Sequence, residues 1–351
     1  MKIILAILIF SFIIIFHETG HFLFAKKCGV KVNEFTLGLG PTLFSWGKGE
    51  TKYCLKLLPF GGSCVMEGED EESDSDRAFN KKSLWERFQI VFAGPLFNFI
   101  LAYILAVVYI GIVGVNDATI SDVMEGYAAA EAGLQAGDKI VSIDDYNIHF
   151  YNEISIYTFL HSDKESYKIV YSRDGEKHTT TLVPKFDENS GRKLLGITKT
   201  NEPVEGQLFY PKVSPLGVLQ YSAYEIKYQI YVTISSLKML FTGQVSMNEV
   251  SGPVGVVTVI SNVYDESVTS GAIYVVVNLL SIAILLSANL GVMNLLPFPA
   301  LDGGRILLFA IEGIRGKKMN PEIENNINLI GFGLLMVLMI VVMYNDILKL
   351  F

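Results

Sequence analysis

Four stretches of about 20 predominantly apolar residues constrain this chain more than any other feature. They lie at residues 3–25, 90–115, 273–296 and 327–344. Each is long enough to cross the roughly 30 Å hydrocarbon layer of a bilayer as a helix. Only 18% of all residues are charged, whereas water-soluble proteins carry about a quarter. The sequence therefore predicts a multi-pass membrane protein with at least one water-soluble part.

Charge and cysteine content exclude several other classes of protein. Lys and Arg number 28 against 36 Asp and Glu, and the net charge of −8 has the wrong sign for a general nucleic-acid binder. The three cysteines are odd in number and lack zinc-type spacing, which excludes a disulfide scaffold and a zinc-ribbon site. We therefore expect the lipid bilayer, and no nucleic acid, among the partners of this chain.

The distribution of positive charge predicts the orientation of the spans. Lys and Arg are concentrated between the first and second spans and between the third and fourth, whereas the outer ends carry only Lys2 and Lys349. Because cytoplasmic loops carry the excess of positive residues, both basic loops should be cytoplasmic. Both termini and residues 116–271 should then lie on the other side of the membrane.

A histidine pair interrupts the first apolar stretch. His17 and His21 stand four residues apart and Glu18 lies between them, which is the H-E-x-x-H pattern on a predicted helix. Histidines at this spacing share one helical face and can ligate one zinc ion. The zinc lowers the pKa of a bound water, and the glutamate takes its proton and passes it to the leaving amine. Two satisfied core histidines are the alternative, which is disfavoured because ionisable groups within hydrocarbon usually have a function.

A catalytic zinc has a third protein ligand and keeps one open position. The other histidines, His149, His161 and His178, fall in the predicted external segment, so we expect a carboxylate near the cytoplasmic ends of the spans. Asp302 is the candidate, because two prolines break the third span before it and two glycines follow it. The alternative is that Asp302 only caps the helix that follows.

Taken together, the motifs resemble the site-2 protease family of intramembrane zinc metalloproteases, most closely the bacterial regulator-of-sigma-E (RseP-like) type with a single PDZ domain. The matching segments are His17-Glu18-Thr19-Gly20-His21, Asn294-x-x-Pro297-x-Pro299-x-Leu301-Asp302-Gly303, Phe35-x-x-Gly38-x-Gly40-Pro41, Leu58-Pro59-Phe60-Gly61-Gly62-Ser63-Cys64-Val65-x-x-Gly68-Glu69, Ala93-Gly94-Pro95-x-x-Asn98-Phe99 and Gly252-Pro253-x-Gly255. The first two motifs are specific, whereas the glycine-rich segments are supporting. Ser63-Cys64 departs from the aromatic residue usual in the Gly-Gly loop of the family.

The resemblance implies one Zn²⁺ per chain, held by the two histidines and Asp302, with Glu18 as the general base. It also implies a membrane-associated β-loop that receives the substrate. Unwinding a transmembrane helix frees its peptide groups, which an edge strand can pair with and an amide side chain can bind. Alternatively, Asn294 only caps the helix break and the loop only plugs the bundle. The predicted substrate-binding residues are Asn294, Gly61, Gly62, Pro297 and Pro299.

Between the second and third spans the sequence becomes polar and strand-like. Residues 129–144 resemble the AGLxxGDxI signature of bacterial PDZ domains, and Asp174-Gly175 predicts a hairpin. We place the PDZ domain at 117–185. It either binds an extended peptide or tail by strand addition or acts as a steric gate over the membrane site. Tyrosines at helical spacing within 216–241 predict an amphipathic helix at the membrane interface or against the PDZ domain, or a plain core stripe.

The predicted fold is a membrane α-helical bundle of four transmembrane helices with a membrane-associated β-loop and an inserted extracytoplasmic PDZ domain (α+β). The predicted regions are 1–115 with the first two helices and the β-loop, 117–185 with the PDZ domain, 186–270 with the amphipathic helix, and 271–351 with the last two helices. We expect a multi-pass protein of the bacterial cell membrane whose active site lies toward the cytoplasmic side.

The predicted function is that of a zinc metalloendopeptidase that cleaves transmembrane segments. The resemblance implies single-span substrates of the anti-sigma-factor type, already trimmed by another protease, or remnant signal peptides. A PDZ-containing membrane scaffold or chaperone without peptidase activity is the alternative. That alternative predicts a broken H-E-x-x-H motif or a missing acidic ligand, and the sequence has neither defect.

Overall fold

The computed structural model describes residues 2–69, 71, 73–188, 191–199, 209–245 and 251–349, without the side chains of residues 59, 60 and 321. The chain divides into two compact units. Met1–Ala106 and Thr242–Phe351 form the first, which we call the membrane unit. Val107–Phe241 forms the second, which we call the inserted unit.

Long apolar helices dominate the membrane unit. Among the described residues, four helices are long and apolar enough to cross a membrane, at Lys2–Lys27, Leu84–Val113, Ala272–Asn294 and Glu322–Leu348. They confirm the four predicted spans. The described helices are α1 (Lys2–Lys27), α2 (Leu84–Val113), α3 (Ala128–Glu131), α4 (Tyr151–Leu160), α5 (Pro215–Phe241), α6 (Pro253–Ser270), α7 (Ala272–Asn294), α8 (Asp302–Arg315) and α9 (Pro321–Leu348).

The strands fall into a β-loop in the membrane unit and several short sheets in the inserted unit. Those in the part of the chain that the structure describes are β1 (Val32–Trp46), β2 (Lys52–Met66), β3 (Asp122–Val123), β4 (Lys139–Ile143), β5 (Tyr146–Asn147), β6 (Tyr167–Arg173), β7 (Glu176–Leu182), β8 (Lys185–Asp187), β9 (Arg192–Leu194) and β10 (Ile197–Thr198).

The β-loop between α1 and α2 is a bent pair of strands rather than a simple hairpin. The first half of β1, residues 32–37, pairs with 62–66 on one side and with 52–55 on the other. The segment 53–56 also pairs with 42–46 in the second half of β1. The order across this small sheet is therefore 62–66, 32–37, 52–56 and 42–46. Within the described sheet, residues 62–66 form one edge.

Small and polar residues set the close packing of the helices in the membrane unit. A methyl group at Gly20 of α1 would lie 2.3 Å from the carbonyl oxygen of Ala93 in α2, so only glycine permits this approach. The hydroxyl of Ser287 in α7 donates to the carbonyl oxygen of Asn98 at 2.8 Å, and both residues are fully buried. These contacts hold α1 and α7 against the same turns of α2.

The inserted unit contains a four-stranded sheet in the order β5-β4-β6-β7, with a core of Ile and Tyr side chains. The predicted hairpin is confirmed, since β6 and β7 pair from Tyr167↔Leu182 to Arg173↔Glu176. Asp174 and Gly175 have φ of 53° and 86°, as expected for the tight turn that suits a twisted hairpin. Strand β10 pairs with β3, so pairing in this unit continues past residue 185. The domain limits 117–185 remain a prediction.

The Gly-Asp of the PDZ-like signature has a structural role. Asp138 is 1% exposed and accepts hydrogen bonds from the Gln135 amide at 2.8 Å and from two guanidinium nitrogens of Arg173 at 2.7 Å. Burial alone would raise the pKa of Asp138, but these hydrogen bonds outweigh it and hold the pKa below its ordinary value. At a pH above the ordinary pKa of an aspartate, the ionised Asp138 therefore stabilises the folded unit. This stabilisation is lost as the pH falls through the lowered pKa.

The predicted tyrosine stripe lies on α5 and packs within the inserted unit. Tyr224 stacks on His149 with ring centroids 3.7 Å apart, and Tyr231 lies 4.4 Å from Tyr146 by the same measure. The sequence predicts the tyrosine stripe at the membrane interface, against the PDZ domain or in a plain core. In the structure α5 packs its tyrosines against the folded inserted unit.

Candidate metal centre

The H-E-x-x-H motif lies on one buried face of α1. His17 and His21 are 7% and 8% exposed, and their Nε2 atoms are 3.1 Å apart. The 3.6-residue helical period brings positions i and i+4 to the same face. Two imidazole nitrogens that face each other at this distance form a site suited to a cation.

Asp302 completes the cluster from another part of the chain. Its Oδ2 atom lies 3.3 Å from His17 Nε2 and 3.5 Å from His21 Nε2. The third span does end before it, since α7 stops at Asn294 and α8 begins at Asp302. The two following glycines permit the turn, because a methyl group at Gly303 would lie 2.3 Å from the carbonyl oxygens of the preceding loop.

The spacing of these atoms fits a zinc ion. Ligand atoms about 2.0–2.1 Å from a tetrahedral metal are about 3.3–3.4 Å from one another. The three distances in the cluster, 3.1, 3.3 and 3.5 Å, lie close to that value. Asp302 Oδ2 is buried and makes no hydrogen bond within the described residues, as expected for an atom directed at a metal. Two imidazoles and a carboxylate are also the donor types found in catalytic zinc sites.

Contacts from α2 orient the two imidazoles. Nδ1 of His21 lies 2.9 Å from the carbonyl oxygen of Ile90, which can only accept, so Nδ1 carries the proton and Nε2 is left for the metal. Nδ1 of His17 lies 3.1 Å from the amide of Asn98, which is fully buried. When the carboxamide of Asn98 is rotated by 180° about its Cβ–Cγ bond, its oxygen faces Nδ1–H of His17, as the carbonyl oxygen of Ile90 faces that of His21. Asn98 is therefore the partner that would fix the tautomer of His17.

Replacing Asn98 with leucine should weaken zinc binding about 10- to 100-fold, the usual cost of losing an orienting partner of a metal-bound histidine. Competition with a chelator on the purified protein measures the affinity. Asn278→Leu is the matched control, because Asn278 lies in the same unit and donates to Ser267 at 2.8 Å rather than to a histidine. Equal zinc affinity in the Asn98→Leu and Asn278→Leu proteins would remove Asn98 from the site.

Glu18 lines the same cavity, which has a volume of about 320 Å³. A methyl group at Gly62 would lie 2.9 Å from Cγ of Glu18, so the edge segment 62–66 passes directly over this side chain. Glu18 thus lies beside the metal cluster and beside a strand edge, where a general base for peptide hydrolysis is needed.

The structure distributes the predicted substrate-binding residues unevenly. Asn294 lines the cavity, and its Nδ2 lies 3.5 Å from both ring nitrogens of His17. Gly62 also lines the cavity. Gly61, Pro297 and Pro299 are outside the described lining, in the β-loop and in the loop between α7 and α8. Their substrate-binding role stays a prediction.

An ion pair that the sequence reading missed also borders the site. Arg305, one turn after Asp302 on α8, donates to Glu69, which also accepts from the Met66 amide at 3.3 Å. The carboxylates of Glu18, Glu69 and Asp302 and the single guanidinium give the described lining a formal charge of −2. Uncompensated charge is costly in a low-dielectric site, and a divalent cation would balance it.

Comparison with known proteins shows the family of this chain. Peptidase family M50 matches residues 5–338. The zinc metalloprotease RasP of Bacillus licheniformis is 33% identical over 98% of this chain and 98% of its own. The regulator of sigma-W protease RasP of Bacillus subtilis is 31% identical over the same shares of both chains. The chain therefore belongs to peptidase family M50, the site-2 protease family.

Membership of this family makes the chain a multi-pass membrane zinc metalloprotease, and it confirms the predicted enzyme class and the Zn²⁺ cofactor. Among solved structures, the PDZ domain of an SdrC-like protein from Listeria monocytogenes is 27% identical and covers 24% of this chain and 90% of its own, with a TM-score of 0.21.

Proposed function

We propose that this protease cleaves the transmembrane segments of single-span membrane proteins, with zinc held by His17, His21 and Asp302. The observation that carries the proposal is the cluster of two buried histidines and the partly buried Asp302 inside a unit built of apolar helices. Anti-sigma-factor-type regulators are the proposed substrates, together with remnant signal peptides. The sigma-W protease among the relatives supports the first of these classes.

In this proposal the residues of the chain divide the chemistry between them. When bound, zinc would supply a Lewis acid that polarises the scissile carbonyl and lowers the pKa of the attacking water. Glu18 accepts the proton of that water and delivers it to the leaving amine. The Asn294 amide, which lies beside His17, is placed to bind peptide groups freed from the substrate helix.

The edge segment 62–66 is the proposed receiver of the substrate strand. One of its sides pairs with residues 32–37, and it borders the cavity that holds Glu18. An unwound peptide that adds to the other side would recover the backbone hydrogen bonds lost on unwinding. This pairing would bring the scissile peptide bond of the substrate to the metal cluster.

For the inserted unit we propose peptide binding of the PDZ type. A cavity of about 500 Å³ lies between α4 and residues 194–197. Ile154 and Phe159 on the helix and Ile197 on the strand side give it an apolar lining, which suits the side chains of an extended peptide or tail. This favours the binding role over the steric gate.

We also propose the orientation given by the positive residues. The basic loops after the first and third spans are cytoplasmic, and the inserted unit and both termini lie on the opposite side. Asp302 directly follows the third span and precedes the second basic loop. This places cleavage near the cytoplasmic ends of the spans.

Asp302→Asn tests the ligand set that the proposal requires. The asparagine is nearly isosteric but has lost the charge that binds the metal, so zinc bound per purified chain should fall well below one after dialysis. Metal analysis by mass spectrometry measures this. Asp265→Asn, on an exposed part of α6, is the control and should keep its zinc. Unchanged stoichiometry and affinity in Asp302→Asn would remove Asp302 from the site.

A further inference from the structure

A second cavity adjoins the metal site and is lined by asparagines of α9. It has a volume of about 620 Å³, and Asn325, Asn326 and Asn328 contribute to its wall. The opposite wall includes Ala300, Asp302 and Arg305, which also line the cavity around the metal cluster. The two cavities are therefore neighbours that share the segment 300–305 in their linings.

The three asparagines lie in the first turns of α9, where its apolar stretch begins. Helix propensity does not account for them, because asparagine is a poor helix former. An asparagine amide has two N–H donors and a carbonyl acceptor without a charge. These are the groups that can pair with a peptide backbone that has left its own helical hydrogen bonds.

Close packing fixes this row of amides relative to the site. The amide of Ala300, which has a φ of +70°, donates to Oδ1 of Asn328 at 3.4 Å. A methyl group at Gly331 would lie 2.4 Å from Cβ of Pro299, so α9 approaches the loop as closely as glycine allows. Asn328 thus contacts a residue only two positions before Asp302.

The distance suits a substrate chain that runs through both cavities. Two residues of chain span at most about 7 Å. An extended peptide rises about 3.3 Å per residue. With the 3.4 Å hydrogen bond from Ala300 to Asn328, Asn328 lies at most about 10 Å from the backbone of Asp302. A peptide held at the metal cluster would therefore reach Asn328 about three residues from the cleaved bond.

We propose that this asparagine-lined cavity is a substrate subsite that binds the peptide groups of the unwound segment next to the cleaved bond. The proposal rests on the proposed function, because it takes an unwound transmembrane segment as the substrate. The subsite selects for backbone that is free to hydrogen-bond, so it favours segments that unwind readily within a few residues of the cleavage position.

Photo-crosslinking in the Glu18→Gln protein tests the proposal directly. p-Benzoylphenylalanine is placed at Leu329, which lines the cavity, or at Leu334, which is outside its described lining. The two leucines are 69% and 57% exposed, so they are matched in type and accessibility. A tagged single-span substrate in proteoliposomes should crosslink at least about fivefold more at position 329. Equal yields, or crosslinks at 329 to lipid alone, would overturn the subsite.

A third crosslinking position separates this proposal from the function on which it rests. Ser63 lies in the edge segment and lines the metal cavity. Crosslinks at 63 without crosslinks at 329 would overturn the subsite and leave the proposed function intact. Absence of substrate crosslinks at both positions would count against both.

Moving the amide along the helix gives a second test by kinetics. Asn326→Leu should raise KM for the membrane substrate about tenfold, the effect of one or two lost hydrogen bonds, and leave kcat within about twofold. Adding Leu329→Asn should restore KM, because it returns an amide to the same cavity, whereas adding Leu334→Asn should not. An unchanged KM in Asn326→Leu, or equal rescue by both additions, would overturn the proposal.

Discussion

Glu18→Gln is expected to lower cleavage of a transmembrane substrate by about 10²–10⁴-fold, the range supplied by a general base. The glutamine amide keeps the shape of the side chain and cannot take a proton from the attacking water. Because Glu18 is outside the proposed ligand set, the protein should still bind one zinc ion per chain. The cleavage rate is measured as turnover of a purified substrate in proteoliposomes. Metal analysis of the same preparation measures the zinc bound per chain.

The control for this change is Glu266→Gln, an isosteric substitution at an exposed position of α6. It should cleave at the rate of the unaltered protein. Cleavage by Glu18→Gln at a comparable rate would remove Glu18 from the role of base. Loss of zinc together with activity would instead show that Glu18 holds the metal.

Gly94→Ala is expected to disable the site without touching a ligand. A methyl group at this position would lie 2.2 Å from Nε2 of His21 and 2.7 Å from Cε1 of His17. The methyl group would push the imidazoles away from Asp302. Displacement of a reacting group by about 1 Å costs about a hundredfold in rate, so activity should fall at least that much and zinc affinity should fall with it.

Gly111→Ala makes the same change in the same helix, at a position where no other atom of the described residues is found within 4 Å of the added methyl group. This control should keep full activity, since alanine in an open helix position stabilises by about 0.5–1 kcal/mol. Zinc affinity and turnover of the two alanine proteins would be compared side by side. Normal zinc binding by Gly94→Ala would contradict the close approach of α2 to the histidine face.

The four spans and the histidine face could be predicted because both are local features. Length and apolarity define a span, and the i, i+4 spacing of His17 and His21 requires only that their segment is helical. Asp302 could be selected because the other histidines lie elsewhere and the Pro and Gly residues around it predict a broken helix. The helix break is confirmed by the gap between α7 and α8.

The supporting residues could not be predicted in the same way, because they depend on how distant segments approach. In the sequence Asn98 stands out only as part of the Ala93-Gly94-Pro95-x-x-Asn98-Phe99 motif, although a polar residue inside an apolar span is itself a signal. Gly94 has its role because α2 lies against α1, and no local pattern encodes that contact. Glu69 and Arg305 are 236 positions apart and meet only in the folded chain.

Two residues of the family-like motifs, Asp138 and Pro299, have structural contacts that the resemblance does not predict. The aspartate of the Gly-Asp in the PDZ-like signature, Asp138, is buried and forms an ion pair with Arg173 at 2.7 Å. Pro299 packs against Gly331 and thereby positions the loop that ends at Asp302. In this chain both motif residues therefore have contacts that stabilise the fold.

The most direct test of the central claim is to locate the cleaved bond. The purified, zinc-loaded protein would be incubated in proteoliposomes with a single-span substrate, and the products identified by mass spectrometry. We expect cleavage within the hydrophobic segment, loss of cleavage on removal of zinc by a chelator, and recovery when zinc is returned. Cleavage only outside the membrane segment, or cleavage that persists without zinc, would contradict intramembrane hydrolysis at the His17, His21 and Asp302 cluster.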